Sequence, residues 1–112
     1  MIDKLIIEQL KHDVGEDLAI QLLGIFVEES KKTIADMLVA SSVSSIAINA
    51  HGLKSSSSSF GAINLAHTCQ LIETKAKDEE LDIELITLLQ LAAKQSDKTF
   101  NQLTSIIVSQ SI

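Results

Sequence analysis

The chain has 112 residues and a formal charge of −6, which fits one compact domain spanning residues 1–112. Hydrophobic residues make up 46% and aromatics only 3%, with Trp, Tyr and Pro absent, so the apolar content is aliphatic and suits interlocking helices better than strands. The acidic balance argues against nucleic-acid and anionic-membrane partners, and a single cysteine, Cys69, excludes an internal disulfide. The opening MIDKLIIEQLKHDVG mixes charges with apolar residues and resembles neither a signal peptide nor a spanning segment, so a cytoplasmic location is the expectation. Nothing in the pattern demands an oligomer, and a monomer is the simpler expectation.

Asp3 is placed to cap a short first helix ending near Val14, with Leu5, Ile6 and Leu10 on one face and Gly15 as punctuation. A second helix is expected from Glu16 to Ala40, its stripe formed by Leu18, Leu22, Ile25, Phe26, Met37 and Leu38. Acidic residues at its start suit the positive end of the helix dipole. After a turn at 41–45, a third helix is predicted from about Ser44 to Phe60, stopped by Gly61. A fourth runs from about Ala62 to Lys77, with Leu65, Cys69, Ile72 and Ala76 in helical phase. KDEELD then turns the chain into a regular last helix, marked by Ile86, Leu89, Ala93, Ser96, Phe100, Leu103 and Ile107. Four long amphipathic helices with short connections predict an all-α fold: an antiparallel four-helix bundle with a short extra N-terminal helix across one end.

The serine run Ser55–Ser59 reads by composition as a linker. Apolar spacing nevertheless continues through it, with Ile46, Ala50, Leu53, Ser57 and Phe60 on one side, and a linker has no reason to keep helical phase. Helix is therefore the expectation there.

Advancing about 100° per residue from His51 puts Leu53 near 200°, Ile46 near 220° and Ala50 near 260°, the buried side. His51 points the other way, surrounded by Ala47, Ile48, Lys54, Ser55 and Ser58; Asn49 falls at the rim of the core. A neutral imidazole in solvent offers a nitrogen lone pair near pH 7. Lys54, one turn on, can meet a phosphate with a charge-assisted hydrogen bond. Gly52, Ser55 and Ser58 leave space, the two hydroxyls can donate, and Ala47 and Ile48 supply exposed apolar area of the kind a docking face needs. Geometry alone leaves two readings open, a solvated surface histidine and a nucleophile.

The segment AHGLKSSSSSFGAINLAHTCQLIETKAK, residues 50–77, resembles the histidine-containing phosphotransfer (HPt) family: His51, Leu53, Lys54, a run of small residues, then Gly61. LLGIFVEESKKTIADML, residues 22–38, is similar to the family's preceding helix. Within the family the chain resembles standalone LuxU-type members of quorum-sensing relays, through LKSS and SFGA. The resemblance implies that His51 is phosphorylated on the ring nitrogen farther from the backbone, with Lys54, Ser55 and Ser58 beside the phosphoryl group. It implies docking through Ala47, Ile48 and Gly52, and a structural role for Gly61. Many members carry Gly where Ser55 stands. Some place a Gln on the facing helix against the histidine ring; here Glu73 takes that place, with Gln70 one turn earlier and Lys77 as a second cation. The implied partners are the receiver domain of a hybrid sensor histidine kinase, as donor, and that of a response regulator, as acceptor. The implied Mg²⁺ sits on the receiver, and this chain would need no cofactor of its own.

His67 and Cys69, two apart, point to different sides of a helix and make a poor metal pair, so no metal site is expected; Cys69 reads as core. His12 reads as solvated surface. KDEE lacks the spacing and glycine of a calcium loop. No G-x-x-x-x-G-K-[ST] loop or glycine-rich kinase loop is present, so the chain reads as a phosphocarrier and not an enzyme. Two rivals stand beside this reading: a module that docks on a receiver without transfer, and a structural bundle whose likeness around His51 is accidental.

Overall fold

The computed structural model describes residues 2–40, 42–78 and 80–110. Among these, five helices follow in order: α1 (Lys4–Val14), α2 (Glu16–Val39), α3 (Val43–Ser59), α4 (Ile63–Ala76) and α5 (Ile83–Gln110). The only extended pairing among the described residues is an isolated bridge between Ile2 and Ala62.

Each boundary has a local cause. Asp3 caps α1 by accepting from the Leu5 N–H at 3.0 Å. Gly15, at φ 88°, ends α1 and opens α2 in a conformation that costs glycine little. Ser42 caps α3 through the Ser45 N–H at 3.1 Å, so the helix starts one residue before the expected Ser44. Ser41, part of the expected turn, lies outside the described residues, as does Glu79 in KDEELD. Asp82 accepts from the Leu85 N–H at 3.0 Å at the start of α5.

Gly61 does more than stop α3. Its φ is 79°, and its carbonyl accepts from the Asp3 N–H at 2.8 Å. A Cβ added at Gly61 would lie 2.8 Å from the Asp3 carbonyl oxygen. The N-terminal segment is thus stitched onto the α3–α4 connection, which holds α1 across that end of the bundle.

Helix α2 packs on α3, α3 on α4, α4 on α5, and α5 returns to α2. Pairs across α3 and α4 run in opposite senses: His51 meets Glu73 whereas Lys54 reaches back to Gln70. Thr68 with Gln95 and Lys75 with Glu84 show the same for α4 and α5. The architecture is therefore the expected antiparallel bundle. Its core is aliphatic, including Leu23, Ile34, Ile46, Leu53, Leu65, Ile72, Leu85 and Leu103. All three phenylalanines meet in it: Phe26 stacks on Phe60 at 5.0 Å and meets the edge of Phe100 at 6.3 Å.

The serine run is helical. Ser56 donates to the carbonyls of Gly52 and Leu53, and Ser59 to that of Ser55, so these hydroxyls find partners within the helix. Ser57 is buried in the expected phase with Ile46, Ala50 and Leu53. The expected stripe of α4 also holds.

Three faces differ from expectation. In α1, Leu5 is 79% exposed and Ile7 is buried in its place. In α2, Leu18, Ile25 and Leu38 are exposed, while Ala19, Leu23, Val27 and Ile34 fill the core beside Phe26 and Met37. The cause is an excess of apolar residues: α2 carries two adjacent stripes, and a helical wheel does not say which of them its neighbours cover. In α5, likewise, Leu85 is buried and Ile86 lies at the edge.

Candidate functional site

His51 sits midway along α3 on the face turned from the core, its side chain 62% exposed. The core residues Ala50 and Leu53 anchor the helix on either side of it, which fixes the direction of the ring. Nδ1 lies 2.6 Å from Oε2 of Glu73 on α4. A carboxylate only accepts, so the ring proton resides on Nδ1 and is donated to Glu73. The other nitrogen, Nε2, then carries the lone pair.

Glu73 is held ionised. Lys54 Nζ bonds its Oε1 at 2.8 Å, and this contact, ahead of that with His51, keeps the carboxyl below its usual range despite partial burial. Lys54 also donates to Gln70 Oε1 at 3.0 Å, and the Gln70 amide donates to Thr74 Oγ1 at 3.1 Å. A continuous network thus runs along α4 from Thr74 through Gln70, Lys54 and Glu73 to the ring. Lys54 is 27% exposed and Glu73 20%, so the pair is partly sheltered while the imidazole stands clear.

The other sequence-derived positions fall around this centre. Ser55 and Ser58 are exposed on α3. Gln70 contacts Lys54 and not the ring. Lys77, at the end of α4, has no hydrogen bond or ion pair with the network. Ile48, 74% exposed, borders two grooves, one on each side of α3. One, of about 330 Å³ between α2 and α3, is lined by Leu22, Ile25, Ile48, Gly52 and Phe60 among others. The other, of about 780 Å³ between α3 and α4, is lined by Val43, Ala47, Ile48, Ala76, Lys77 and Leu81 among others. At Gly52 an added Cβ would meet nothing within 4 Å, so the surface beside His51 is open.

The α2 wall of the first groove escaped the sequence reading, which put Leu22 and Ile25 in the core. The available signal was the surplus of apolar residues on α2. Also missed was a clamp on the α4–α5 connection, where Lys75 pairs with Asp82 at 2.9 Å and Glu84 at 3.3 Å.

Among the described residues no group of three or more His, Cys, Asp or Glu side chains is arranged to hold a metal. Cys69 is buried, and burial pushes its thiol up to about 12. His67 and His12 are exposed. No helix among the described residues is long and apolar enough to cross a membrane.

The arrangement suits one kind of chemistry: an outward Nε2 lone pair, a proton fixed on Nδ1, a nearby cation and open grooves on both sides make a nucleophile for a group delivered by another macromolecule. No curated protein and no solved structure matches the chain significantly. The Hpt domain family matches residues 21–99, well over half of the chain and inclusive of the whole His51 network. The chain therefore belongs to the Hpt domain family, phosphocarrier modules of histidine phosphotransfer in phosphorelays that interact with receiver domains.

Proposed function

We propose that the protein accepts a phosphoryl group on His51 Nε2 from an aspartyl phosphate in the receiver domain of a hybrid sensor histidine kinase, then passes it to the receiver domain of a response regulator. The observation that carries this reading is the 2.6 Å contact from Nδ1 to Glu73, which leaves the outer nitrogen as the nucleophile. As the lone pair attacks phosphorus, the P–O bond to the aspartate breaks and its electrons return to that carboxylate. The second transfer is the same step reversed onto another aspartate.

Lys54 limits the repulsion between Glu73 and the arriving phosphate by holding a positive charge in the same network. The Ser55 and Ser58 hydroxyls supply donors on the side of the next turns. Ala47, Ile48 and Gly52 form the ground on which a receiver settles, and Lys77 lends a further cation at the edge. The receiver brings the Mg²⁺ and its own acidic cluster, and this chain works as a monomeric carrier in the cytoplasm without a cofactor of its own. Placement in a quorum-sensing relay rests on the LKSS and SFGA segments alone.

A two-stage relay tests the reading. Label moved from a phosphorylated hybrid-kinase receiver to this protein, and chased from it by an unlabelled response-regulator receiver, supports a carrier. A protein that binds the receivers yet never acquires label is instead a docking module.

A further inference from the structure

The contact between His51 and Glu73 bears on the phosphorylated state as well as on the free one, and this inference rests on the proposed function. The form of the ring that attacks is the neutral one, with its proton on Nδ1 towards Glu73. When Nε2 forms its bond to phosphorus, it gives up its lone pair, and the ring becomes cationic as long as Nδ1 keeps its proton. An ionised carboxylate on that proton stabilises the cationic ring, as the acid of a hydrolase triad does for its imidazolium. Lys54 opposes this only in part, because it bonds the other carboxylate oxygen, Oε1.

The protonation state of the ring decides how readily the N–P bond breaks. With Nδ1 protonated, the leaving group is neutral imidazole; without that proton it is an imidazolate, a far poorer one. This is why phosphohistidine is labile in acid and persistent in base. We propose that Glu73 holds the proton on Nδ1 throughout the cycle, so that phospho-His51 stands near neutral pH in its ring-protonated, readily transferred form. Glu73 is thus a positioning residue that sets how good a donor the carrier is. The balance is complete: the N–P bond forms as the donor P–O bond breaks, the Nδ1 proton never leaves the ring, and onward transfer restores the neutral imidazole.

The groups around the ring support this assignment. Helix α4 presents Glu73, with Lys77 one turn further on, lining the groove beside Ala47. Helix α3 presents Lys54. From α2, Glu29 lines the groove on the far side of Gly52. Of these, Glu73 alone bonds the ring among the described residues. Lys54 keeps its carboxyl below the usual range, so the acceptor stays ionised across the neutral region. An amide at position 73 accepts the same hydrogen bond without the charge, which weakens the hold on the proton.

The experiment uses phosphoramidate, a small donor whose ammonia leaves as the Nε2–P bond forms, so no partner receiver is needed. The intact protein and Glu73→Gln are phosphorylated, desalted, and followed by ³¹P NMR as the N–P bond hydrolyses between pH 5 and 9 (a range about the ordinary histidine pKa). The expected result is that the lability profile of Glu73→Gln moves to lower pH by about one unit, giving a phosphohistidine that lives several-fold longer at neutral pH and about tenfold longer towards pH 9. In the intact phosphoprotein, ¹⁵N NMR should show Nδ1 protonated at neutral pH, a readout that does not depend on any variant. Superimposable profiles, or an unprotonated Nδ1 in the intact phosphoprotein, overturn the assignment while leaving the carrier function in place. Failure of phosphoramidate and of phosphorylated receivers alike to label His51 overturns both.

Discussion

Replacing Gly52 with alanine should move stability and function in opposite directions. Gly52 lies inside α3, and an added Cβ there meets nothing within 4 Å, so the substitution introduces no clash in the free protein. Its effect on folding is then the helix preference of alanine over glycine, about 0.8–1.0 kcal/mol in favour of the variant. For a domain of this size that raises Tm by about 4 °C, measured by circular dichroism. Gly52 also follows His51 directly and lines the α2–α3 groove, so on the proposed docking the new methyl stands in the path of the receiver. Transfer from a phosphorylated receiver should fall several-fold, whereas labelling by phosphoramidate, which needs no docking, should be unchanged. A less stable variant would refute the structural premise. A more stable one that still takes phosphate from the receiver at the native rate would refute the claim that this glycine provides close approach.

Other consequences follow from the same structure. Gly61→Ala places a side chain at φ 79° and a Cβ 2.8 Å from a backbone oxygen, so it should cost about 2–4 kcal/mol in urea denaturation, and a loss below ~0.5 kcal/mol would show the stitch to Asp3 to be unimportant. Ser57 Oγ is buried with no hydrogen-bond partner among the described residues, so Ser57→Ala should stabilise by about 1 kcal/mol in the same assay; a destabilised variant would reveal a partner for the hydroxyl. The Asp82 carboxyl is held below its usual range by the Leu85 N–H and then by Lys75, so its stabilising effect is present above the ordinary carboxylate pKa and is lost as pH falls through the lowered value. Asp82→Asn keeps the cap but not the charge, so its stability should fall less steeply than the native protein's below about pH 4. With its thiol pushed up to about 12 by burial, Cys69 should react with a thiol reagent only on unfolding, and rapid labelling of the folded protein would contradict that burial.

What was legible in the sequence was local. His51, Lys54 and Gly61 lie within eleven positions of one another, and a helical wheel suffices to turn His51 outward because α3 has a single apolar stripe interrupted by small residues. Helix boundaries were legible for the same reason, since Asp3, Gly15 and Gly61 act on their own neighbours. Position 73 could be placed opposite His51 by resemblance, but that Glu73 takes Nδ1 while Lys54 bridges Glu73 and Gln70 depends on the stagger of α3 against α4, which no single-helix pattern encodes. The α2 wall of the groove was illegible for a related reason. Leu22 and Ile25 look like core until the packing of α2 against three neighbours decides which of its two apolar stripes is covered.

The central claim is that His51 carries the phosphoryl group. The most direct test is to mix the protein, and separately His51→Gln, with a receiver domain labelled on its aspartate, then to treat the products with acid and with base. The account predicts label on the native protein that is lost in acid and survives base, and none on the variant. Label retained by His51→Gln, or no label on the native protein from several phosphorylated receivers, would contradict it.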